Sequence, residues 1–462
     1  MNNNQCKSLI MPSIDLPYSL GREVHYQPLS ALELVYDSAS QISQALTTKF
    51  LANRPFSGIA TSYCGHQFGT FNPALGDGRL LSLSTRIAQQ QVQIKGIGKT
   101  PFSFGHDGRL SLNNGLEETL NSLTLQKLGI PSPAIDVLWV SPDHLLAQKM
   151  ARGALLVRSA PSFVRIGHFE NLYLNNDKQA QLATINHCLT RHFNHQLAER
   201  PLDNVIAFLQ LVVDRWALTC AQWQVDGFCH GTLNSDNMSI LGLSLDNASG
   251  RFIHYYEPSF CTNPIDEQQR YAFGQQPAMI AFNLNILTQS LADLIPAASL
   301  QTCLNQFMPR YHQYFATGLL AKLNLSIEAS PESLPPGGSQ AQHDSDMLSQ
   351  LLQLLYQLSL NYQAFFSNLK HCVIDEQITD ANTITKCILS TYQKADKGLE
   401  PLLNQWLVRY LKRLQASSPV APNNNDKVVS LWHRYFSSIV NDKMPNQMTK
   451  LHSFAQRLDS LG

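Results

Sequence analysis

The sequence predicts an α+β chain with a strand-rich front and a helical body. Three observations carry this. Short apolar runs separated by glycine turns fill residues 63–112. Apolar residues recur at helical spacing in long segments from about 180 to 325. A polar loop, His230 to Asp246, interrupts those segments.

The elements follow in order. Residues 20–60 carry no sharp motif. Leu80–Leu83 and Gln91–Lys95 have strand character, the second with period-two alternation. Leu116 to Leu128 predicts a helix, because Leu116, Leu120, Leu123 and Leu128 line one face. Val137–Val140 and Ala154–Val157 read as short buried strands, although periodicity alone leaves helix open for runs this short. Leu202 to Val225, Ala278 to Ile295 and Phe307 to Leu325 predict helices, the second ended or kinked by Pro296. Pro331, Pro335, Pro336, Gly337 and Gly338 mark residues 328–345 as a polar linker or loop. Residues 346–415 read as helical again. A second polar break, Ala416 to Lys427, precedes a last amphipathic segment.

Composition excludes little but sets a background. The 462 residues are enough for two or three domains. Lys+Arg and Asp+Glu are both 34, so net charge gives no reason to expect nucleic acid or an anionic membrane as partner. No apolar run approaches the ~20 residues that span a bilayer. Met1 to Gln5 lacks the basic-then-apolar order of a signal peptide, so a cytoplasmic location is the expectation. The nine cysteines are dispersed and form no Cys-x-x-Cys, which favours reduced thiols over a disulfide framework or zinc ribbon.

The most informative stretch is His230-Gly231-Thr232-Leu233-Asn234-Ser235-Asp236-Asn237, followed by Asp246. In protein-kinase catalytic loops an Asp stands two residues after the His, and a metal-binding Asn five residues after that Asp. Here the Asp position holds Thr232, the Asn is kept as Asn237, and a new carboxylate, Asp236, precedes it. The predicted fold therefore sharpens to a protein-kinase-like, two-lobed architecture. Residues 20–157 would form a strand-rich, nucleotide-clasping N-lobe, and 158–327 a helical C-lobe with the metal and catalytic loops. Residues 346–462 would add C-terminal helices beyond the 328–345 linker.

Asn237 and Asp246 offer hard oxygen ligands suited to Mg²⁺ or Mn²⁺; the bland alternative is a capped turn. His230 reads as a structural hydrogen-bonding residue. Gly76-Asp77-Gly78-Arg79 precedes an apolar strand, where glycines let backbone N–H groups approach a phosphate. An ordinary hairpin turn uses the same residues. Lys95 ends a strand and Glu118 lies on the predicted helix, the pair by which kinases orient nucleotide phosphates. Taken alone, they also read as a solvated lysine and a surface glutamate. Arg158 and Arg165 carry planar forks that match phosphate oxygens, or are two surface arginines.

Together these residues resemble the selenoprotein O family of kinase-like protein AMP-transferases. The matching segments include Tyr63-Cys64-Gly65-His66-Gln67-Phe68-Gly69, Leu75-Gly76-Asp77-Gly78-Arg79, Lys95-Gly96-Ile97-Gly98-Lys99-Thr100-Pro101-Phe102-Ser103 and Asp107-Gly108-Arg109. They continue through Val157-Arg158-Ser159-Ala160-Pro161-Ser162, Arg165-Ile166-Gly167-His168-Phe169-Glu170 and the loop at 230–242. The order and spacing agree over roughly 60–280.

The resemblance implies a reaction: AMP moves from ATP to Ser, Thr or Tyr hydroxyls of proteins, with loss of pyrophosphate. UTP is a further candidate donor. It also implies roles. Lys95, paired with Glu118, would contact phosphate. Arg158, Arg165, Gly76, Gly78, Arg79, Asp107 and Gly108 would hold the nucleotide. Asn237 and Asp246 would bind the metal, and Asp236 would accept the hydroxyl proton.

The chain also departs from the family pattern. Asn247, Ala248 and Ser249 replace an aromatic, Gly and Pro after Asp246, and His254-Tyr255 replaces an Asp pair. Cys387, the last cysteine, is no counterpart of the family's C-terminal redox residue. Two other readings stay open at this level. One is a nucleotide-binding pseudoenzyme acting as scaffold or switch. The other is a conventional kinase moving the γ-phosphate, which Thr232 at the usual base position disfavours.

Overall fold

A computed structural model describes residues 9–29, 31–51, 53, 55–145, 151–326, 339–390, 397–417, 425–442 and 446–461. Its front is a mixed sheet-and-helix unit. Among the described residues, nine strands form one sheet. Along its main path run Gly21–Tyr26, Phe56–Gln67, Leu80–Leu83, Gln91–Lys95, Ala151–Ala160, Ala134–Leu145 and Glu33–Asp37, each antiparallel to its neighbours.

Period-two alternation assigns the two sheet faces. One face carries Leu81, Ile94, Val137, Trp139, Leu155 and Val157, covered by Ile42, Leu46 and Phe50 of the helix Gln41–Leu51. The other carries Leu138, Val140, Ala154 and Leu156, covered by Leu112, Leu116, Leu120 and Leu125 of the helix Leu112–Lys127. Ser111 caps that helix by accepting from Asn114 N. Lys95 follows Ile94, and Arg158 follows Val157, so both polar side chains point to the second face. That is how they come to meet the helix bearing Glu118.

The short runs at Val137–Val140 and Ala154–Val157 are indeed strands, inside longer ones. The expected helix at Leu116–Leu128 starts earlier, at Leu112. Residues 20–60, without a local motif, supply the strands Gly21–Tyr26 and Glu33–Asp37 and the helix Gln41–Leu51. Their partners lie far along the chain: Glu33–Asp37 pairs with Val137–Val140.

The body is helical. Pro201–Asp226 begins with Pro at its first turn and ends at Gly227 in the left-handed region. By length and composition this helix could cross a membrane. That corrects the expectation that no segment approaches such a span. Its apolar residues, Val205, Phe208, Leu209, Val212, Val213 and Trp216 among them, are instead buried in the core. The helices Gln276–Ser290, Ala297–Leu304 and Phe307–Lys322 follow.

Of the polar break expected over 328–345, residues 328–338 lie outside the described residues. From Ser339 the chain is helical, through Leu358. Composition misreads this start because its polar groups have tertiary partners: Asp344 is held by Arg413 at 2.9 Å. The helix Asn425–Val440 packs behind the Glu118 helix, where Trp432 Nε1 donates to Asn121 Oδ1 at 2.9 Å.

Candidate active site

The loop after the helix Pro201–Asp226 is fixed to it by side chains. Trp216 Nε1 donates to Ser239 O at 2.7 Å, and Thr219 Oγ1 to Gly242 O at 3.0 Å. His230 stacks on Trp223, and its Nε2 lies 3.1 Å from Leu245 O. Burial lowers its pKa to about 4, so it is a neutral structural group, as expected. Asn237 Nδ2 donates to Thr232 O at 2.8 Å, which leaves the amide oxygen to accept a hydrogen bond or coordinate a cation. Asp246 adopts a left-handed backbone (φ 58°), a conformation Asp tolerates better than most residues. The divergent Asn247 anchors this turn. Its backbone carbonyl accepts from Asn121 Nδ2 at 2.6 Å, and its side chain accepts from Ser244 Oγ at 2.7 Å.

Two charge clusters result. In the first, Lys95 Nζ lies 2.6 Å from Glu118 Oε2, and Arg158 donates to Glu118 Oε1 at 2.8 Å. Both cations also contact Asp246 Oδ1, Arg158 at 3.3 Å and Lys95 more closely. Lys95 and Glu118 are 1% and 2% exposed, which rules out a solvated lysine and a surface glutamate. Asp246 is 30% exposed, and its exposed side faces the cleft. Burial opposes its ionisation, but Lys95, Arg158 and Arg79 outweigh burial and hold the carboxyl well below the usual range. Burial lowers the pKa of Lys95, against the pull of Asp246 and Glu118.

In the second cluster, Arg165 donates to Asp236 O at 2.8 Å, lies 3.9 Å from Asp77 Oδ1 and stacks over Tyr63. Asp77 Oδ2 accepts from Thr61 N and Oγ1. Burial raises the pKa of Asp236 to about 6, with Arg165 pulling the other way. Asp236 Oδ1 is buried without a hydrogen-bond partner.

Both clusters border one cleft of about 530 Å³. Gly76, Gly78, Arg79, Asp107, Gly108, Asp236 and Asp246 all line it. Gly98 N donates to Gly108 O at 3.0 Å, and a Cβ on Gly108 would stand 2.0 Å from Gly98 O, so these two turns pack only with glycine there. Lys95, Arg158, Arg165, Glu118 and Asn237 stand behind this lining. The two arginines, read from sequence as nucleotide ligands, point donors inward, Arg158 to Glu118 and Gln93 and Arg165 Nη1 to the Asp236 carbonyl. A larger cleft of about 750 Å³ is lined by Pro258, Arg270, Met279 and Phe282, and holds none of the candidate residues or any carboxylate. The candidate residues gather at the smaller one.

The donor set fits a hard divalent cation. Asp246 supplies a carboxylate beside the cleft and Asn237 an amide oxygen, and Asp236 lies in the same lining. Among the described residues no cluster of three or more His, Cys, Asp or Glu could hold a metal by itself. An ion here would take its remaining ligands from water and phosphate oxygens, as Mg²⁺-type sites do. Sequence reasoning gave no role to Asp77, Thr61, His66, Gln67, Glu170 or Ser235. The signal was present, since all but Thr61 stand in the motif segments, but only the three-dimensional pairing shows what they touch.

Comparison with known proteins agrees in scale with this geometry. The profile of the family described as Protein adenylyltransferase SelO matches residues 22–459. The Protein nucleotidyltransferase YdiU of Vibrio atlanticus is 35% identical over 349 residues, 74% of this chain and 69% of that protein. Its Aliivibrio fischeri counterpart is 35% identical over 321 residues, covering 68% of this chain and 63% of its own length, slightly under two thirds. In Myxococcus xanthus the similarity is 34% over 438 residues, 91% of this chain and 85% of that one. The chain belongs to the SelO family of protein adenylyltransferases.

Proposed function

We propose that this protein transfers AMP from ATP to Ser, Thr or Tyr hydroxyls of proteins and releases pyrophosphate. The scaffold is read as protein-kinase-like, with a sheet lobe over 20–157, a helical lobe over 158–327 and helices over 346–462 as an extension. One observation carries the reading. The cleft that holds Arg79 and the glycine turns also holds Asp236, a buried carboxylate with an unused oxygen, while Thr232 stands where a kinase base would be.

The residues divide the work as follows. Gly76, Gly78, Asp107 and Gly108 shape the wall against which the nucleotide lies. Arg79 faces the phosphates from the cleft, and Lys95 reaches them once a ligand draws it from Asp246. Arg158 and Arg165 act from behind, holding Glu118, Asp246 and the Asp236 backbone in place. Asn237 and Asp246 would hold Mg²⁺ or Mn²⁺, which when bound supplies positive charge to the phosphate oxygens. The Asp236 carboxylate takes the proton of the acceptor hydroxyl. The hydroxyl oxygen then bonds to the α-phosphorus as the bond to the β-phosphate oxygen breaks. Fixed cations around the phosphates stabilise the charge that develops.

The products test this. With ATP, a divalent cation and a protein acceptor, pyrophosphate should appear in step with labelled protein. Orthophosphate in its place would make the chain a γ-phosphoryl kinase. ATP binding with neither product would make it a nucleotide-binding pseudoenzyme.

A further inference from the structure

The strand Phe56–Gln67 ends beside the loop that carries Asp236. Three polar contacts lock strand end to loop. His66 N donates to Ser235 Oγ at 2.8 Å, Ser235 Oγ donates to Glu170 Oε1 at 2.5 Å, and His66 Nδ1 lies 2.8 Å from Glu170 Oε2. Ser235 and Glu170 are buried. Arg165 holds the Asp236 carbonyl from the other side. The backbone around residue 236 is therefore tied down on two sides.

The Asp236 carboxylate itself is held differently. Its Oδ1 has no hydrogen-bond donor. Its Oδ2 has Gln67 Nε2 at 3.5 Å, the long limit of such a bond. What faces Oδ1 is Gly65: a Cβ built there would stand 2.6 Å from Oδ1 and 3.0 Å from the Asp236 Cβ. Gly65 lies within a strand and outside the left-handed region, so its backbone conformation suits any residue. Close approach is what demands glycine: that of Asp236, and that of Leu75 Cδ1 at 2.9 Å, the end of a side chain that can turn away.

We propose that Gly65 and Gln67 are positioning residues for the acceptor side of the reaction. Gly65 supplies the gap that lets the Asp236 carboxylate lie in the cleft wall, and Gln67 supplies the single amide that sets its rotation. The inference rests on AMP transfer with Asp236 as proton acceptor. Gln67 lines the cleft with Asp236, so it also stands where an acceptor hydroxyl would enter.

The test uses the full chain, ATP labelled in the α-phosphate and a protein acceptor. Gly65→Ala should lower kcat at least about tenfold, since misplacing a reacting group by an ångström costs up to about a hundredfold. The nucleotide dissociation constant should stay within about twofold, because the phosphate-facing residues are untouched. Gln67→Met, similar in length but without the donor, should lower kcat with the same unchanged nucleotide affinity, and it reads the proposal even if Gly65→Ala fails to fold. Unchanged kcat in Gly65→Ala and Gln67→Met, with Asp236→Ala inactive, overturns this inference and leaves the function standing. Equal losses in nucleotide affinity and kcat overturn it as well, since the residues would then shape the nucleotide pocket. Wild-type protein that binds ATP but transfers nothing overturns the function, and this inference with it.

Discussion

Replacing Glu118 by Gln probes the buried charge cluster most cleanly, because the change is nearly isosteric. In the wild type one carboxylate oxygen meets Lys95 at 2.6 Å and the other meets Arg158 at 2.8 Å. A glutamine has one acceptor, so it can serve one cation and must turn an N–H toward the other. One charge-assisted bond, worth about 1.5–3 kcal/mol, is lost, and a buried donor is left facing a donor. Asp246 would remain as the sole carboxylate for two buried cations. The expected loss is about 2–4 kcal/mol, below the ~3–5 kcal/mol of breaking a buried pair outright. Lys95 would be drawn wholly to Asp246, away from the phosphates and onto the candidate metal ligand. If the same free energy appears in the transition state, the rate falls by roughly 30-fold to 10³-fold, at 1.36 kcal/mol per factor of ten. Urea unfolding and the initial rate of α-label transfer measure the two effects. Wild-type stability and rate in Glu118→Gln would refute the idea that this cluster orients Lys95.

Two further predictions concern pH. The Asp236 pKa, raised by burial to about 6, means the base is protonated below that pH, so kcat/KM for transfer should fall as pH drops through about 6 and level off above it; a profile flat from pH 5 to 8 would remove Asp236 from the proton transfer. Asp15 is buried and accepts from Arg86, Gln91, His187 and His192, which overcome burial and hold its pKa below the usual range. A lowered folded-state pKa gives stability that is present above the unfolded value of 3.8 and lost as pH falls toward the folded one. Asp15→Asn should therefore cost about 3–5 kcal/mol near neutral pH, with the gap from wild type narrowing below about pH 4 in urea titrations.

Local signals made part of this molecule legible. Alternation through Gln91–Lys95 marked a strand, and leucine spacing marked the helix carrying Glu118, so the Lys95–Glu118 meeting could be anticipated. Apolar spacing over Leu202 to Val225 located the helix Pro201–Asp226, and the His230-to-Asn237 motif located the loop beyond it. The first sixty residues were opaque, because strands such as Glu33–Asp37 are defined by a partner a hundred residues away. The inward turn of Arg158 was likewise invisible, since it depends on register: Arg158 sits opposite Gln93, and Gln93 Oε1 accepts from it at 3.0 Å. A charged residue in a motif can serve a ligand or brace the residues that do, and only burial separates the two. The polar start of Ser339–Leu358 failed for the same reason, its Asp344 being held by Arg413.

The most direct measurement gives the protein ATP labelled in the α-phosphate or in the γ-phosphate, in separate reactions with Mg²⁺ or Mn²⁺, for the wild type and Asp246→Ala. The account predicts protein labelled from the α-position alone, and none in the variant, which lacks the carboxylate shared by Lys95, Arg158 and the candidate metal site. Label from the γ-position alone, or undiminished α-labelling in Asp246→Ala, would contradict it.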